Sequence, residues 1–192
     1  MNSSELTAAD IILTSSPSLV SKAIRKGTIS AYSHAMIYVG NGHIIEAVGE
    51  EGIRRQGLSH AIYGCDRVTV FRHADASVDH RQRIVAFAER CLEGEYASVG
   101  VITGSGAFAV ATAGLGTLTI SSLRAGYNTI LEKTGRKRSY FCSELVADVF
   151  LSAGLALGIY GKIPSLMNPG DISEYSDRNP GVLLKLGSIE CG

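Results

Sequence analysis

A cysteine at the predicted start of a helix is the residue of this chain best suited to do chemistry. Cys142 lies in residues 140–146 (YFCSELV), where an apolar stripe with helical spacing begins only at Leu145 and Ser139 is a candidate cap. A thiol becomes a nucleophile as the thiolate, and a helix N-terminus with a histidine nearby lowers its pKa. The local pattern leaves two interpretations open, a catalytic nucleophile and a buried structural thiol.

A histidine that could activate this thiol lies far upstream, at the start of a predicted β-hairpin. Residues 34–39 and 43–48 are apolar and β-branched, and the Gly-Asn-Gly between them is typical of a tight turn. His34 begins the first strand and Glu46 lies in the second. The hairpin therefore offers a base and a carboxylate that could orient it, although His34 could equally be a hydrogen-bonded core histidine.

The register of this hairpin decides whether the histidine and the glutamate can meet. If residues 40–42 form a three-residue loop, Val39 pairs with His43 and Met36 with Glu46, and the glutamate shares a face with His34. A two-residue turn would shift the register by one residue and send the carboxylate to the opposite face. We expect the three-residue loop, because a carboxylate flanked by apolar residues is costly to bury without a partner.

The remaining pattern predicts one α+β domain that spans residues 1–192. The predicted strands cover 9–14, 34–39, 43–48, 67–72 and about 182–186, and the predicted helices cover 19–26, 78–92 and 142–153, with a loop-rich tail after Gly154.

Composition narrows the class of protein. The chain has 45% hydrophobic and 19% charged residues, and its 18 basic residues balance 18 acidic ones, so no net field favours nucleic acid. Four cysteines show no zinc-site spacing, and we expect neither a metal nor a cofactor. The first residues lack the pattern of a secretory signal, so we expect reduced thiols and synthesis in the cytoplasm, with export by a dedicated secretion system left open.

One long segment carries no charge. Residues 96–123 are rich in Gly, Ala, Thr and Ser, and their length would satisfy a membrane span. Their small side chains are also typical of closely packed or substrate-facing helices. We interpret the segment as an insertion of this kind, and membrane contact through it stays an alternative.

Several short stretches together resemble the circularly permuted branch of the NlpC-type papain-like superfamily, especially the YiiX-like proteins, with lecithin:retinol acyltransferase as a distant relative. The cysteine follows the histidine here, as permutation implies. Ala9 stands where relatives usually have glycine. The matching stretches are residues 10–13 (DIIL), 33–40 (SHAMIYVG), 44–47 (IIEA), 140–146 (YFCSELV) and 169–172 (PGDI).

The resemblance implies a small antiparallel sheet packed against the helix that carries the cysteine. In that arrangement Cys142 is the nucleophile, His34 the general base and Glu46 the orienting third residue. The backbone N–H of Cys142 would donate to the oxyanion, and Tyr38 and Tyr140 would line the substrate cleft.

The expected activity is therefore hydrolysis of an amide through an acyl-cysteine intermediate. Bacterial cell-wall peptides are the first substrate to consider, which would suit an exported toxin with a cognate inhibitor. The alternatives are a lipid-directed acyltransferase or thioesterase, and a non-catalytic binding module on the same fold.

Overall fold

A computed structural model describes residues 1–48, 52–92, 141–155, 157 and 167–190. In this part of the chain the strands are β1 (Ile11–Ser15), β2 (His34–Gly40), β3 (His43–Val48), β4 (Gly52–Gly57), β5 (Arg67–His73) and β6 (Leu183–Ser188). The helices are α1 (Leu19–Thr28), α2 (Leu58–Ile62), α3 (Val78–Arg90), α4 (Cys142–Ser152) and α5 (Pro169–Arg178), after a 3-10 turn at Ser3–Glu5.

The strands of the described residues form one antiparallel sheet in the order β4-β3-β2-β1-β5-β6. Successive side chains of a strand point to opposite faces. On one face, odd-numbered residues of β1, β2 and β3 form the main core with side chains of α3, α4 and α5. On the other face, even-numbered residues of the same strands pack with α2 and with Ile189. The α+β class and the antiparallel sheet expected from the sequence are confirmed.

The hairpin between β2 and β3 reaches the expected register by an unexpected route. Asn41 and Gly42 both have positive φ and form a two-residue turn, with Gly40 opposite His43. The expected pairing of Val39 with His43 is therefore wrong. A bulge between Tyr38 and Gly40 adds the extra residue and restores the register.

Because of this bulge, Met36 pairs with Glu46, as the sequence predicted. His34 lies two residues before Met36 and so shares its face. The bulge thus supplies the extra residue that the sequence analysis placed in a three-residue loop, and it sets the same register for Met36 and Glu46.

Several elements differ from the sequence expectation. No element was predicted where the strand β4 and the helix α2 lie, the helix α5 lies in the tail expected to be loop-rich, and α1 continues through Gly27 to Thr28. In α5 the proline stands at the first helical position, where its missing N–H costs nothing, and Asn168 caps the helix by accepting from Gly170 N–H at 2.8 Å. The predicted insertion at 96–123 lies outside the described residues.

A buried ion pair ties the start of β1 to β5. Asp10, whose side chain is 1% exposed, accepts hydrogen bonds from Arg72 Nε and Nη2 at 2.7 Å each. Its Oδ2 also accepts from the N–H of Thr7 at 2.8 Å. Both carboxylate oxygens are therefore held by donors that do not titrate near neutral pH.

Candidate active site

The helix α4 presents Cys142 at its first turn. Phe141 is the N-cap residue, and its N–H donates to Glu144 Oε2 at 3.3 Å. The Oγ of Ser143 donates to the carbonyl of Met167 at 2.6 Å, which fixes the same turn from a second side. The predicted cap, Ser139, lies outside the described residues. The result is a half-buried thiol at a helix N-terminus, where backbone N–H groups favour the thiolate.

The hairpin register brings a histidine and a carboxylate into contact. His34 Nε2 lies 2.6 Å from Glu46 Oε2. The side chain of Glu46 is only 3% exposed, and that of His34 is 25% exposed. Because Nε2 faces the carboxylate, Nδ1 is the ring nitrogen left for the thiol, with which the imidazole also hydrogen-bonds.

Two residues of β4, absent from the sequence prediction, hold the other oxygen of this carboxylate. Arg54 Nε donates to Glu46 Oε1 at 2.9 Å, and Gln56 Nε2 donates to the same oxygen. Arg54 lies directly opposite Glu46 in the pairing of β3 with β4. The only sequence signal for this strand was a short alternation of Ile53 and Arg55 with the polar residues beside them. Gly52 and Gly57 flank this stretch and made the alternation hard to recognise.

Charges in the site favour an imidazolium at His34. Burial acts to lower the pKa of His34, but the adjacent Cys142 thiolate and the Glu46 carboxylate outweigh burial and raise it to about 10. The pKa of Glu46 is lowered, because the hydrogen bonds from His34 and Arg54 outweigh burial. The carboxylate therefore stays charged beside the protonated ring.

The same charges favour a thiolate at Cys142. Burial alone would raise the pKa of this thiol. The imidazolium of His34 and the backbone N–H groups of Ala35 and Ser143 lower it below the ordinary value. The two shifts together favour the thiolate and imidazolium pair, which is the state in which a cysteine attacks a carbonyl carbon.

The two tyrosines expected in the cleft have different outcomes. Tyr38 is buried in the second core cluster, and its hydroxyl accepts from the N–H of Gly42 at 3.0 Å. These contacts make Tyr38 a support of the hairpin turn, and its place in a substrate cleft stays a prediction. Tyr140 lies outside the described residues.

A cavity of about 280 Å³ is lined by residues other than Cys142, His34 and Glu46. One wall is the loop before β2, which includes Ser30 and Tyr32, and the other is the start of α5. Gly170 allows the close approach of these walls, since a Cβ there would lie 2.6 Å from Ser30 Oγ. Tyr32 is buried in the main core and its hydroxyl donates to Thr69 Oγ1 at 3.0 Å, so its closeness to His34 in sequence does not connect the cavity to the imidazole.

Two kinds of feature are absent from the described residues. They contain no group of three or more His, Cys, Asp and Glu side chains that could hold a metal ion. Among the same residues no helix is both long and apolar enough to cross a membrane.

Comparison with known proteins identifies a family and similar proteins. The model of the "permuted papain-like amidase enzyme, YaeF/YiiX, C92 family" matches residues 5–100, which include His34 and Glu46 and end before Cys142. The probable lipoprotein peptidase YaeF of Escherichia coli K12 is 29% identical over 209 residues, covering 95% of this chain and 74% of that protein.

A crystal structure from Escherichia coli O157:H7, described as metalloprotein yiiX, is similar in fold. Its TM-score is 0.53 at 23% sequence identity, and the match covers 95% of this chain and 88% of that one. Since the family match spans half of the 192 residues, this chain belongs to the permuted papain-like amidases of the YaeF/YiiX, C92 family.

Proposed function

We propose that this chain hydrolyses an amide bond with Cys142 as nucleophile, His34 as general acid and base, and Glu46 as the residue that orients the imidazole. The observation that carries the proposal is the continuous line from a thiol at a helix N-terminus through an imidazole to a buried carboxylate, with Nε2 of the ring 2.6 Å from Glu46. The raised pKa of His34 and the lowered pKa of Cys142 support it.

The first half of the reaction uses the charged pair. The thiolate attacks the carbonyl carbon and the carbonyl π electrons move to oxygen, where the backbone N–H of Cys142 stabilises the oxyanion. As the tetrahedral intermediate collapses, the C–N bond breaks and the imidazolium of His34 protonates the leaving amine. The products are an acyl-thioester on Cys142 and a neutral imidazole.

The second half restores the enzyme. The neutral imidazole of His34 removes a proton from water, and the resulting hydroxide attacks the thioester carbonyl. The C–S bond breaks, the thiolate of Cys142 leaves and the carboxylic acid is released. Glu46 keeps its charge throughout and holds the ring with Nδ1 toward the sulfur.

The first substrate class to test is the peptide of bacterial cell wall. The family is one of amidases, and the name of the Escherichia coli relative supports a peptide bond in particular. Purified cell wall is incubated with the wild type and with Cys142→Ala, and the soluble products are compared by mass spectrometry. New amine and carboxyl termini with the wild type alone support this substrate, and identical products from both proteins reject it.

The thiolate pair can be tested without a substrate. The rate of alkylation of Cys142 by iodoacetamide is measured against pH, with mass spectrometry of the peptides to identify the modified cysteine. We expect the wild type to react near its maximal rate at pH 7. His34→Ala should move the midpoint up toward about 8.5, the value of an ordinary thiol.

A matched control uses another cysteine of the described part. Cys65→Ala should keep the wild-type profile of Cys142, because Cys65 packs against the second core cluster, whereas the pKa of Cys142 is lowered by His34, Ala35 and Ser143. If Cys142 of the wild type titrates like an ordinary thiol and His34→Ala leaves the rate unchanged, the proposed pair does not exist.

A role as an exported toxin is a separate part of the proposal. The chain is expressed with and without a signal that directs it to the periplasm. Lysis that requires both periplasmic delivery and Cys142 would support the role. Growth that is equal for wild type and Cys142→Ala in both compartments would reject it.

A further inference from the structure

The helix α1 buries a polar side chain and exposes large apolar ones, the reverse of a helix that stabilises a core. Within α1, which is described throughout, Ser21 is the buried residue, and its Oγ lies 2.7 Å from Ser33 Oγ. Leu19 and Val20 are instead 84% and 63% exposed. A surface helix normally buries its apolar side chains and exposes its polar ones. Ile24 of the same helix is half-buried, so Leu19 and Val20 are the large apolar side chains of α1 that contribute little burial to the fold.

The residue after α1 adds a third exposed apolar side chain, at the other end of the helix. Ile29 is 96% exposed and has a φ of 51°, in the left-handed region. This conformation is unfavourable for a β-branched residue, and glycine or asparagine usually occupies it. The fold gains neither burial nor backbone relief from an isoleucine at this position. A strained, exposed residue of this kind indicates a function outside the fold.

Charge on the same face identifies the kind of surface that could cover it. Lys22 and Lys26 are exposed, and at 100° per residue they lie on the outward side beside Leu19. The third cation of the helix, Arg25, is turned toward Asp66 at 4.0 Å. The outward face of α1 thus combines apolar side chains with two lysines, the pattern of a helix that lies in a membrane interface.

We infer that α1 and Ile29 form a docking face for an anionic membrane surface. The lysines meet the lipid headgroups, while Leu19, Val20 and Ile29 insert their side chains at the boundary of the acyl chains. These apolar residues lie at the two ends of a stretch about 15 Å long, so the helix lies flat on the membrane. The net charge of the whole chain is zero, so the attraction is local to this face.

A second copy of the chain fits this face less well. A two-fold interface places the same patch of both subunits against itself. Lys22 and Lys26 of one copy would then approach those of the other, and like charges at an interface oppose association.

The docking face borders the 280 Å³ cavity, because Thr28 and Ile29 form part of its wall. Docking through α1 therefore holds the mouth of that cavity close to the headgroup layer. The docking does not depend on the proposed hydrolysis.

Flotation of the full chain with vesicles tests the docking. The vesicles are phosphatidylcholine alone, or phosphatidylcholine mixed with phosphatidylglycerol. We expect binding to the mixed vesicles, weaker binding to phosphatidylcholine alone, and a loss of about fivefold in partitioning for each of Lys22→Gln and Lys26→Gln. Lys185→Gln, an exposed lysine of β6, is the control and should bind like the wild type.

The variant Ile29→Gly separates binding from folding. It removes the inserted side chain and relieves the left-handed backbone, so binding should fall about tenfold while the melting temperature stays equal or rises. Val78→Ser removes an exposed apolar side chain from α3 and should leave binding unchanged.

Three outcomes would overturn the inference. They are absence of flotation with either vesicle, equal losses for Ile29→Gly and Val78→Ser, and a concentration-dependent dimer in light scattering that Leu19→Ser dissociates. Because the readout is binding, a failure of the amidase proposal would leave this result unaffected.

Discussion

Asp10, immediately before β1, and Glu46, in β3, are both buried carboxylates paired with an arginine, but the two differ in what binds their second oxygen. Arg72 engages both oxygens of Asp10, and the N–H of Thr7 completes the set. Arg54 and Gln56 engage only Oε1 of Glu46, which leaves Oε2 to His34. The first carboxylate is closed by donors that keep their protons, and the second is open to a group that can titrate.

This difference separates a structural ion pair from one that can take part in proton transfer. Burial of a carboxylate is unfavourable in both places and must be offset by hydrogen bonds. The hydrogen bonds from Arg72 to Asp10 raise the pKa of Arg72, a group that is charged at any working pH. The hydrogen bond and the charge of Glu46 help to raise the pKa of His34, a group whose protonation the proposed reaction needs. The contrast predicts that changes at Asp10 alter stability and changes at Glu46 alter chemistry.

The largest expected effect is that of Glu46→Gln on hydrolysis. The amide keeps the shape of the side chain but removes its charge, and an amide N–H facing Nε2 of His34 would leave the ring proton on Nδ1, the wrong tautomer for a base toward sulfur. We expect kcat/KM to fall by about a hundredfold or more. Asp10→Asn is the matched carboxylate-to-amide change and should keep most of the activity of the folded protein.

The pH dependence of hydrolysis should change in a defined direction when Glu46 is replaced, but not when Asp10 is replaced. The imidazolium of His34 protonates the leaving amine, so activity should decline as pH rises through about 10, the pKa to which His34 is raised. Loss of the Glu46 charge lowers that pKa, and the alkaline limit should move down by about one unit. An equal shift in Asp10→Asn would show that the two carboxylates do not differ as argued.

The next effect is on stability, and here the order of the two variants reverses. Asp10→Asn weakens a buried pair that joins β1 to β5, and we expect the free energy of unfolding in urea to fall by about 2–3 kcal/mol. Glu46→Gln should lower the free energy of unfolding by only about 1 kcal/mol. The Arg54 side chain is 36% exposed, so water can solvate its guanidinium once the charge of Glu46 is removed. Equal losses in the two variants would contradict a structural role that is specific to Asp10.

A smaller effect is expected from Gln56, which holds Glu46 without a charge of its own. In Gln56→Ala the carboxylate keeps Arg54 and His34 but loses one hydrogen bond, so kcat/KM should fall by about threefold to tenfold. The alkaline limit should stay within about 0.3 units of the wild type, because the charge near His34 is unchanged. Gln82→Ala, an exposed change on α3, is the control. A loss as large as that of Glu46→Gln would mean that Gln56 does more than position the carboxylate.

Parts of the fold were predictable because their patterns are local. The alternation around residues 40–42 predicted the hairpin, and helical spacing after Cys142 predicted α4. The bulge at Val39 could not be read from the sequence, because a three-residue loop and a two-residue turn with a bulge satisfy the same pattern. The partners of Glu46 on β4 were missed for a related reason, since edge strands carry polar side chains and give a weak periodic signal.

The meaning of an unusual residue can also depend on the backbone. In the sequence, Ala9 was a minor departure from the glycine common in relatives. In the structure Ala9 has a φ of 73°, in the left-handed region that favours glycine. Ala9 immediately precedes Asp10, and its N–H donates to the carbonyl of Tyr38 at 2.8 Å. The alanine therefore carries backbone strain at the closed carboxylate, and none of the patterns used for strands or helices reveals it.

The smallest expected effect follows from this strain. Ala9→Gly should raise the free energy of unfolding by about 0.5 kcal/mol, because relief of the left-handed backbone slightly exceeds the entropy that glycine loses on folding. Ala23→Gly, on the exposed side of α1, makes the same chemical change in a helix and should lower it by about 1 kcal/mol. Urea unfolding of both variants measures the difference in sign. If both variants lost stability equally, the left-handed backbone at Ala9 would cost the fold nothing. If only Ala9→Gly gained stability, we would expect the pH profile of Cys142 alkylation to stay that of the wild type. The reason is that Arg72 and Thr7, and not His34, engage the oxygens of the neighbouring Asp10 carboxylate.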